Sequence, residues 1–151
     1  MNMQAHQIIC KIKTATEQEI FLHLAECSDA FIPPLAGRVD IGEYAGKIHE
    51  KSVTFEAWDD RLLVGLIAAY FNDTANGSAF ITSVSMTGRL AGLGIASKLL
   101  DMCIEYARQH NIQELALEVH KDNNPAICFY NKFGFKDHEI KDDMRVMKRR
   151  I

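Results

Sequence analysis

Apolar positions along this chain switch several times between alternate-residue spacing and helical spacing, and the switches divide it into elements. Residues Gln7–Lys13 alternate loosely and predict a first strand. Thr16 followed by Glu19 has the spacing of a capping box, and Ile20, Leu24 and Cys27 then share a face, which predicts a helix. Phe31-Ile32-Pro33-Pro34-Leu35 ends it, because proline has no amide hydrogen and disfavours helix in the residue before it. A short second helix is predicted over Asp40–Glu50, with Ile41, Tyr44, Ala45 and Ile48 inward. Val53–Trp58 and Arg61–Asn72 read as strands joined at Asp59-Asp60, and Leu62–Tyr70 is apolar enough for a central strand.

Ser78–Met86 is a further strand. Ile95, Leu99, Met102, Cys103 and Tyr106 then recur at helical spacing, with Lys98, Asp101, Glu105 and Arg108 outward and Asn111 as a left-handed stop. Glu114–His120 is an extended apolar strand. Asn124 as cap and Pro125 at the first position open a helix that Gly134 ends. Phe135–Ile140 and Met144–Arg150 are predicted as closing strands. The order β-α-α-β-β-β-α-β-α-β-β predicts a single α/β domain over residues 1–151, three layers deep, with a mixed sheet of about seven strands and about four helices.

Composition narrows the function classes. A chain of 151 residues, 48% hydrophobic and 25% charged, can bury a core without staples. Its formal net charge of −3 argues against a general nucleic-acid or membrane surface, and Lys148-Arg149-Arg150 is too short a basic run to change that. No apolar run approaches the ~20 residues of a membrane span, and Met1–Lys13 has no signal-peptide core. Cys10, Cys27, Cys103 and Cys128 are not closely paired; Cys103 and Cys128 fall on apolar helix faces and read as buried reduced thiols of a cytoplasmic protein. The six histidines lack the spacing of a zinc site, so no metal is expected.

The segment Gly88-Arg89-Leu90-Ala91-Gly92-Leu93-Gly94-Ile95-Ala96-Ser97-Lys98 joins a strand to a helix with little side chain at the turn. The first amides of a helix have no partners within it, and the helix dipole adds partial positive charge there. Glycine lets a phosphate approach such a terminus, so the expected guest is an anion, a pyrophosphate above all; a plain tight turn is the alternative. A Walker loop is excluded because Gly-Lys-Ser/Thr occurs nowhere, and the dinucleotide fingerprint fails because Ser97 stands at its third glycine, although Glu118 lies near the distance of a ribose-binding acid.

Ile81–Leu100 and the stretch Leu115–Phe135, "LALEVHKDNNPAICFYNKFGF", together resemble the GNAT acetyltransferase family, whose members use acetyl-CoA to acylate an amine. The family's second signature appears as Asn123-Asn124-Pro125-Ala126-Ile127-Cys128-Phe129-Tyr130, with Gly134-Phe135 after it. Its pyrophosphate motif, Q/R-x-x-G-x-G/A, fits Arg89 to Gly94 literally, but the register Ala91-Gly92-Leu93-Gly94-Ile95-Ala96 better matches the following Ser97-Lys98-Leu99-Leu100. In that register Ala91 replaces the customary Arg or Gln, which touches a side-chain contribution rather than the backbone cradle, and Arg89 remains a flexible cation near the phosphates.

The resemblance implies acetyl-CoA as co-substrate, held by Val84, Met86, Ala91, Gly92, Leu93, Gly94, Ile95, Ala96, Ser97, Asn123 and Tyr130. Val84 and Met86 would receive the pantetheine arm along the strand edge, with the Val84 N–H polarising the thioester carbonyl, and Asn123 would orient the arm or cap the turn. It makes Tyr130 the general acid for the leaving thiolate. No carboxylate stands in Thr82-Ser83-Val84-Ser85, so no general base is assigned; Glu56, Glu118 and His120 are candidates, each also readable as a surface or strand-end residue. The region from Phe31 to His49 would wall the acceptor pocket. A small-molecule amine is the default acceptor, with a peptide or protein amine, or a non-catalytic acyl-CoA-binding domain, as alternatives. A homodimer through Met144–Ile151 is left open beside a monomer.

Overall fold

The computed structural model describes residues 7–90 and 92–151. A seven-stranded sheet runs in the order β1-β2-β3-β4-β5-β7-β6, built from β1 (Ile8–Ile12), β2 (Val53–Asp59), β3 (Leu62–Asp73), β4 (Ser78–Met86), β5 (Glu114–His120), β6 (Lys136–Lys141) and β7 (Met144–Arg150). Helices α1 (Glu17–Cys27) and α2 (Ile41–Lys51) cover one face, and α3 (Ile95–Gln109) and α4 (Asn124–Lys132) the other. All neighbours are antiparallel except β4 and β5. This is the mixed three-layer arrangement that the order of elements predicts.

Strand β3 is buried along most of its length because both faces are covered. Leu63, Leu66 and Ala68 pack toward α1 and α2, whereas Val64, Ile67 and Ala69 pack toward α3. The capping box on α1 forms as read, Thr16 accepting from the Glu19 amide and the Glu19 carboxylate accepting from the Thr16 amide. Asn111 adopts the expected left-handed conformation, with φ of 60°.

Local departures each have a simple cause. The β2–β3 turn sits one residue later than Asp59-Asp60, because Asp59 still pairs with Leu62 and Asp60 takes the positive φ of 56°. The cap of α4 is Asn123 rather than Asn124, its side chain accepting from the Ala126 amide at 3.3 Å. Cys103 is buried, but Cys128 is exposed: α4 turns Ile127 and Tyr130 inward, and the residue after Ile127 rotates off that face. β7 is paired on both edges, by β5 and β6, and the strands at the ends of the sheet are β1 and β6. Among the described residues no helix is long and apolar enough to cross a membrane.

Two irregularities position the functional opening. Between β3 and β4 the register passes from Ala68–Ser83 to Ala69–Ile81, so Thr82 is the extra residue of a β-bulge. Beyond the bulge the facing of β4 changes. Ala79 and Ile81 point to the α3 side, and after Thr82 it is Val84 and Met86 that do so. The parallel ladder with β5 covers only Ser78–Ile81 against Glu114–Leu117, and the strands separate from there on.

Glu56, neither a surface nor a strand-end residue, is fully buried on β2. Its carboxylate accepts from the amides of Thr14 and Ala15, the hydroxyls of Thr14 and Thr54, and the Trp58 indole. It therefore ties the start of α1 to the sheet, and its oxygens are committed to that task. Removing it strands several buried donors, and Glu56→Ala is expected to lower unfolding stability by about 3 kcal/mol, read as a shift in urea midpoint at unchanged slope.

Candidate functional site

Three of the four helices satisfy their N-termini with a side chain of their own: Thr16 for α1, Asp40 for α2 and Asn123 for α4. Helix α3 does not. It begins at Gly94 with no side-chain cap and no acidic residue in its first turn. Gly92 and Gly94 have φ of 85° and 78°, values that a residue with a Cβ adopts only under strain, and a Cβ at either would meet nothing within 4 Å. The glycines therefore shape the backbone rather than relieve a crowded contact; the Leu93 amide donates to the Leu90 carbonyl at 3.4 Å, and the amides of Ile95 to Ser97 precede the first bond within α3, from the Lys98 amide to the Gly94 carbonyl. Gly92, Leu93 and Gly94 are exposed, Ile95 is buried, and Ala96 and Ser97 are half-buried. A helix end that neutralises neither its amides nor its dipole suits an anion. Ala91 and the side chain of Arg89 lie outside the described residues.

The separation of β4 from β5 leads away from this helix end. The Thr87 amide donates to the Val64 carbonyl at 2.8 Å, so Thr87 turns its main-chain groups toward β3. Strand alternation then turns those of Ser85 the same way and those of Val84 and Met86 toward the opening. Main-chain groups on an unpaired strand edge favour an extended ligand that supplies the missing hydrogen bonds.

A cavity of about 400 Å³ occupies this opening. One wall is Thr82–Met86 with Ala96, and the facing wall is Glu118, Val119 and His120. Helix α4 contributes Ala126, Phe129 and Tyr130, with Asn123 before it; Cys27, Phe31, Ile32 and Arg38 close the end formed by the α1–α2 connection. The cavity thus brings together Val84, Met86, Ala96, Asn123 and Tyr130, along with Glu118 and His120, whereas Glu56 is held elsewhere by the bonds described above. Arg38 and Ser85 also reach it, and sequence spacing did not single them out. Arg38 sits 5.9 Å from the Phe31 ring centroid, a position set by a loop rather than a periodic element.

Tyr130 is 8% exposed, edge-on to both Phe129 and Phe135, with ring centroids 5.5 and 5.9 Å away. Burial pushes its phenol well above the usual value and keeps it protonated at neutral pH. His120 Nδ1 accepts from the Asp122 amide at 3.1 Å, so in the neutral ring Nε2 carries the hydrogen. On the opposite wall, Tyr44 of α2 donates to the Thr82 carbonyl at 2.7 Å and pins the bulge in place.

Comparison with known proteins agrees with this geometry. The model of the acetyltransferase (GNAT) family matches residues 18–135. N-alpha-acetyltransferase 30 of Schizosaccharomyces pombe is 28% identical over 85 residues, covering 54% of this chain and 56% of that protein. The chain spans about half the length of the curated relatives it matches first. Among solved structures, PaiA N-acetyltransferase from Thermoplasma acidophilum in complex with coenzyme A superposes with a TM-score of 0.75 at 16% identity, covering 95% of this chain and 99% of that one. The ribosomal-protein-S18-alanine N-acetyltransferase of Escherichia coli gives 0.78 at 17% identity, covering 95% and 94%. With a mixed sheet that parts beside an uncapped helix, and a family match over most of its length, the chain belongs to the GNAT acetyltransferase family.

Proposed function

We propose that the protein transfers the acetyl group of acetyl-CoA to a primary amine. The observation that carries this reading is the uncapped α3 terminus beside the opened β4 edge, an arrangement that suits a diphosphate and an extended amide-bearing arm. The amides of Gly92 to Ser97, with Ala91, would hold the diphosphate, and Val84 and Met86 would hydrogen-bond the arm. The Val84 N–H then donates to the thioester oxygen as negative charge develops there. Tyr130, held protonated by burial, gives its proton to the departing sulfur. Asn123 keeps the start of α4, and so the Tyr130 ring, in place.

The acceptor enters from the Phe31–Arg38 side and is a small-molecule amine. An N-terminal peptide amine is a second reading, supported by the similarity to N-alpha-acetyltransferase 30. A non-catalytic acyl-CoA-binding role is a third, supported by Ala91 at the place of an Arg or Gln and by the absence of a carboxylate from Thr82–Ser85.

Calorimetry with acetyl-CoA, followed by thiol release across a panel of small amines and short peptides, separates these readings. Binding with turnover is expected, and binding with no turnover on any amine favours the third. Tyr130→Phe is expected to lower kcat by about a hundredfold while leaving acetyl-CoA affinity within about twofold; unchanged kcat would remove its role as acid. Gly94→Ala places a Cβ on a left-handed backbone at a cost of about 1–2 kcal/mol, and acetyl-CoA affinity is expected to fall about tenfold.

A further inference from the structure

One buried polar cluster beside the cavity is not accounted for by cofactor binding or by Tyr130. His23 of α1 is 2% exposed, with Nδ1 3.0 Å from the Leu63 carbonyl oxygen and Nε2 2.9 Å from the Ser85 hydroxyl. A carbonyl only accepts, so Nδ1 carries the ring hydrogen. Burial holds the imidazole below its ordinary pKa, against smaller opposing effects of the Leu63 carbonyl and the Glu26 charge, and keeps it neutral. Nε2 is then the lone-pair atom, and Ser85 donates to it. The Ser85 oxygen keeps its own lone pairs, and Ser85 lines the cavity.

The bulge at Thr82 accounts for this arrangement, because it turns Ser83 and Ser85 to the α1 side while Val84 and Met86 stay beside α3. Cys27, which also lines the cavity, has its sulfur 3.8 Å from Nε2. Burial lifts that thiol to about 11, so it stays protonated and does not compete as an anion. Behind His23 lies a second cavity of about 140 Å³, bordered by Glu19, Glu26, Arg61 and Thr87. Of the charged groups there, Glu26 acts on the imidazole, and Ser85 and Cys27 meet it from the other side.

We propose that Ser85 and His23 form the proton relay for the acceptor amine: the Ser85 oxygen takes an N–H hydrogen while passing its own to His23 Nε2. The step rests on the acetyltransferase reading and supplies the base that the missing β4 carboxylate leaves unassigned. As the nitrogen–carbon bond forms and the carbon–sulfur bond breaks, Tyr130 protonates sulfur. The imidazolium, facing the Leu63 carbonyl and Glu26, afterwards releases its proton to solvent, and the Tyr130 phenolate takes one up. One hydrogen has then moved from nitrogen to sulfur. Ser85 meets the substrate, and His23 acts through it as a positioning and proton-storing residue.

The test compares the wild type, Ser85→Ala and His23→Gln on whichever amine of the panel releases thiol fastest, with thermal melts to show that each variant is folded. Each substitution is expected to lower kcat about 10- to 100-fold with KM for acetyl-CoA unchanged, and the double variant to be no slower than the slower single. The acidic limb of kcat, which in the wild type lies below pH 6.5, is expected to disappear in both. Should His23→Gln fail to fold, Ser85→Ala decides alone, since it removes one oxygen. A folded Ser85→Ala enzyme with full kcat and an intact acidic limb overturns the relay and moves proton acceptance to Glu118 on the facing wall. A wild type that binds acetyl-CoA but turns over no amine overturns the catalytic reading together with the relay.

Discussion

A parallel strand pair that stops pairing halfway imposes the constraint on which the remainder depends. β4 and β5 are joined from Ser78 to Ile81 and then diverge, while β4 stays bonded to β3. A buried strand edge without a partner is unfavourable, because its main-chain groups lose water and gain nothing in return. Here the edge faces a cavity lined by Val84 and Met86, so their main chain is not sealed against protein. Thr82 makes this feasible: the bulge bends β4 away from β5 and switches its facing in one step.

The four helices divide their tasks around that opening. α1 and α2 secure their own termini and hold the α1 face of β4, through Tyr44 on Thr82 and His23 on Ser85. α4 is capped by Asn123 and presents Tyr130 to the cavity from a nearly buried position. Among the described residues only α3 has a first turn without a side-chain cap, and Ala96 of that turn lines the opening. The chain thus supplies its own side-chain cap at α1, α2 and α4 and leaves the amides at the start of α3 without one.

The sequence showed the elements well because most obey a single period: Ser78–Met86 and Glu114–His120 have the boundaries their patterns indicate. The glycine turn was legible because only glycine readily supplies φ near 80° at Gly92 and Gly94. Harder to read were features created by a change of register. An alternating pattern through Thr82 gives no sign that the facing reverses there, so Ser85 could not be matched with His23, whose position lies 62 residues away. Glu56 looked like a surface acid because a carboxylate within a strand usually is one, and its donors come from Thr14 and Ala15, far away in sequence. Asn123 and Asn124 are adjacent and chemically identical, and only the backbone distinguishes which one caps.

In the proposed complex coenzyme A lies with its diphosphate at the opening of α3 and its arm along the free edge of β4. A crystal structure of the protein grown with acetyl-CoA tests it directly. Diphosphate oxygens are expected within about 3.2 Å of main-chain nitrogens between Gly92 and Ser97, with hydrogen bonds from the arm to Val84 and Met86. A complex with the diphosphate elsewhere and the Gly92–Ala96 amides facing only solvent would contradict it.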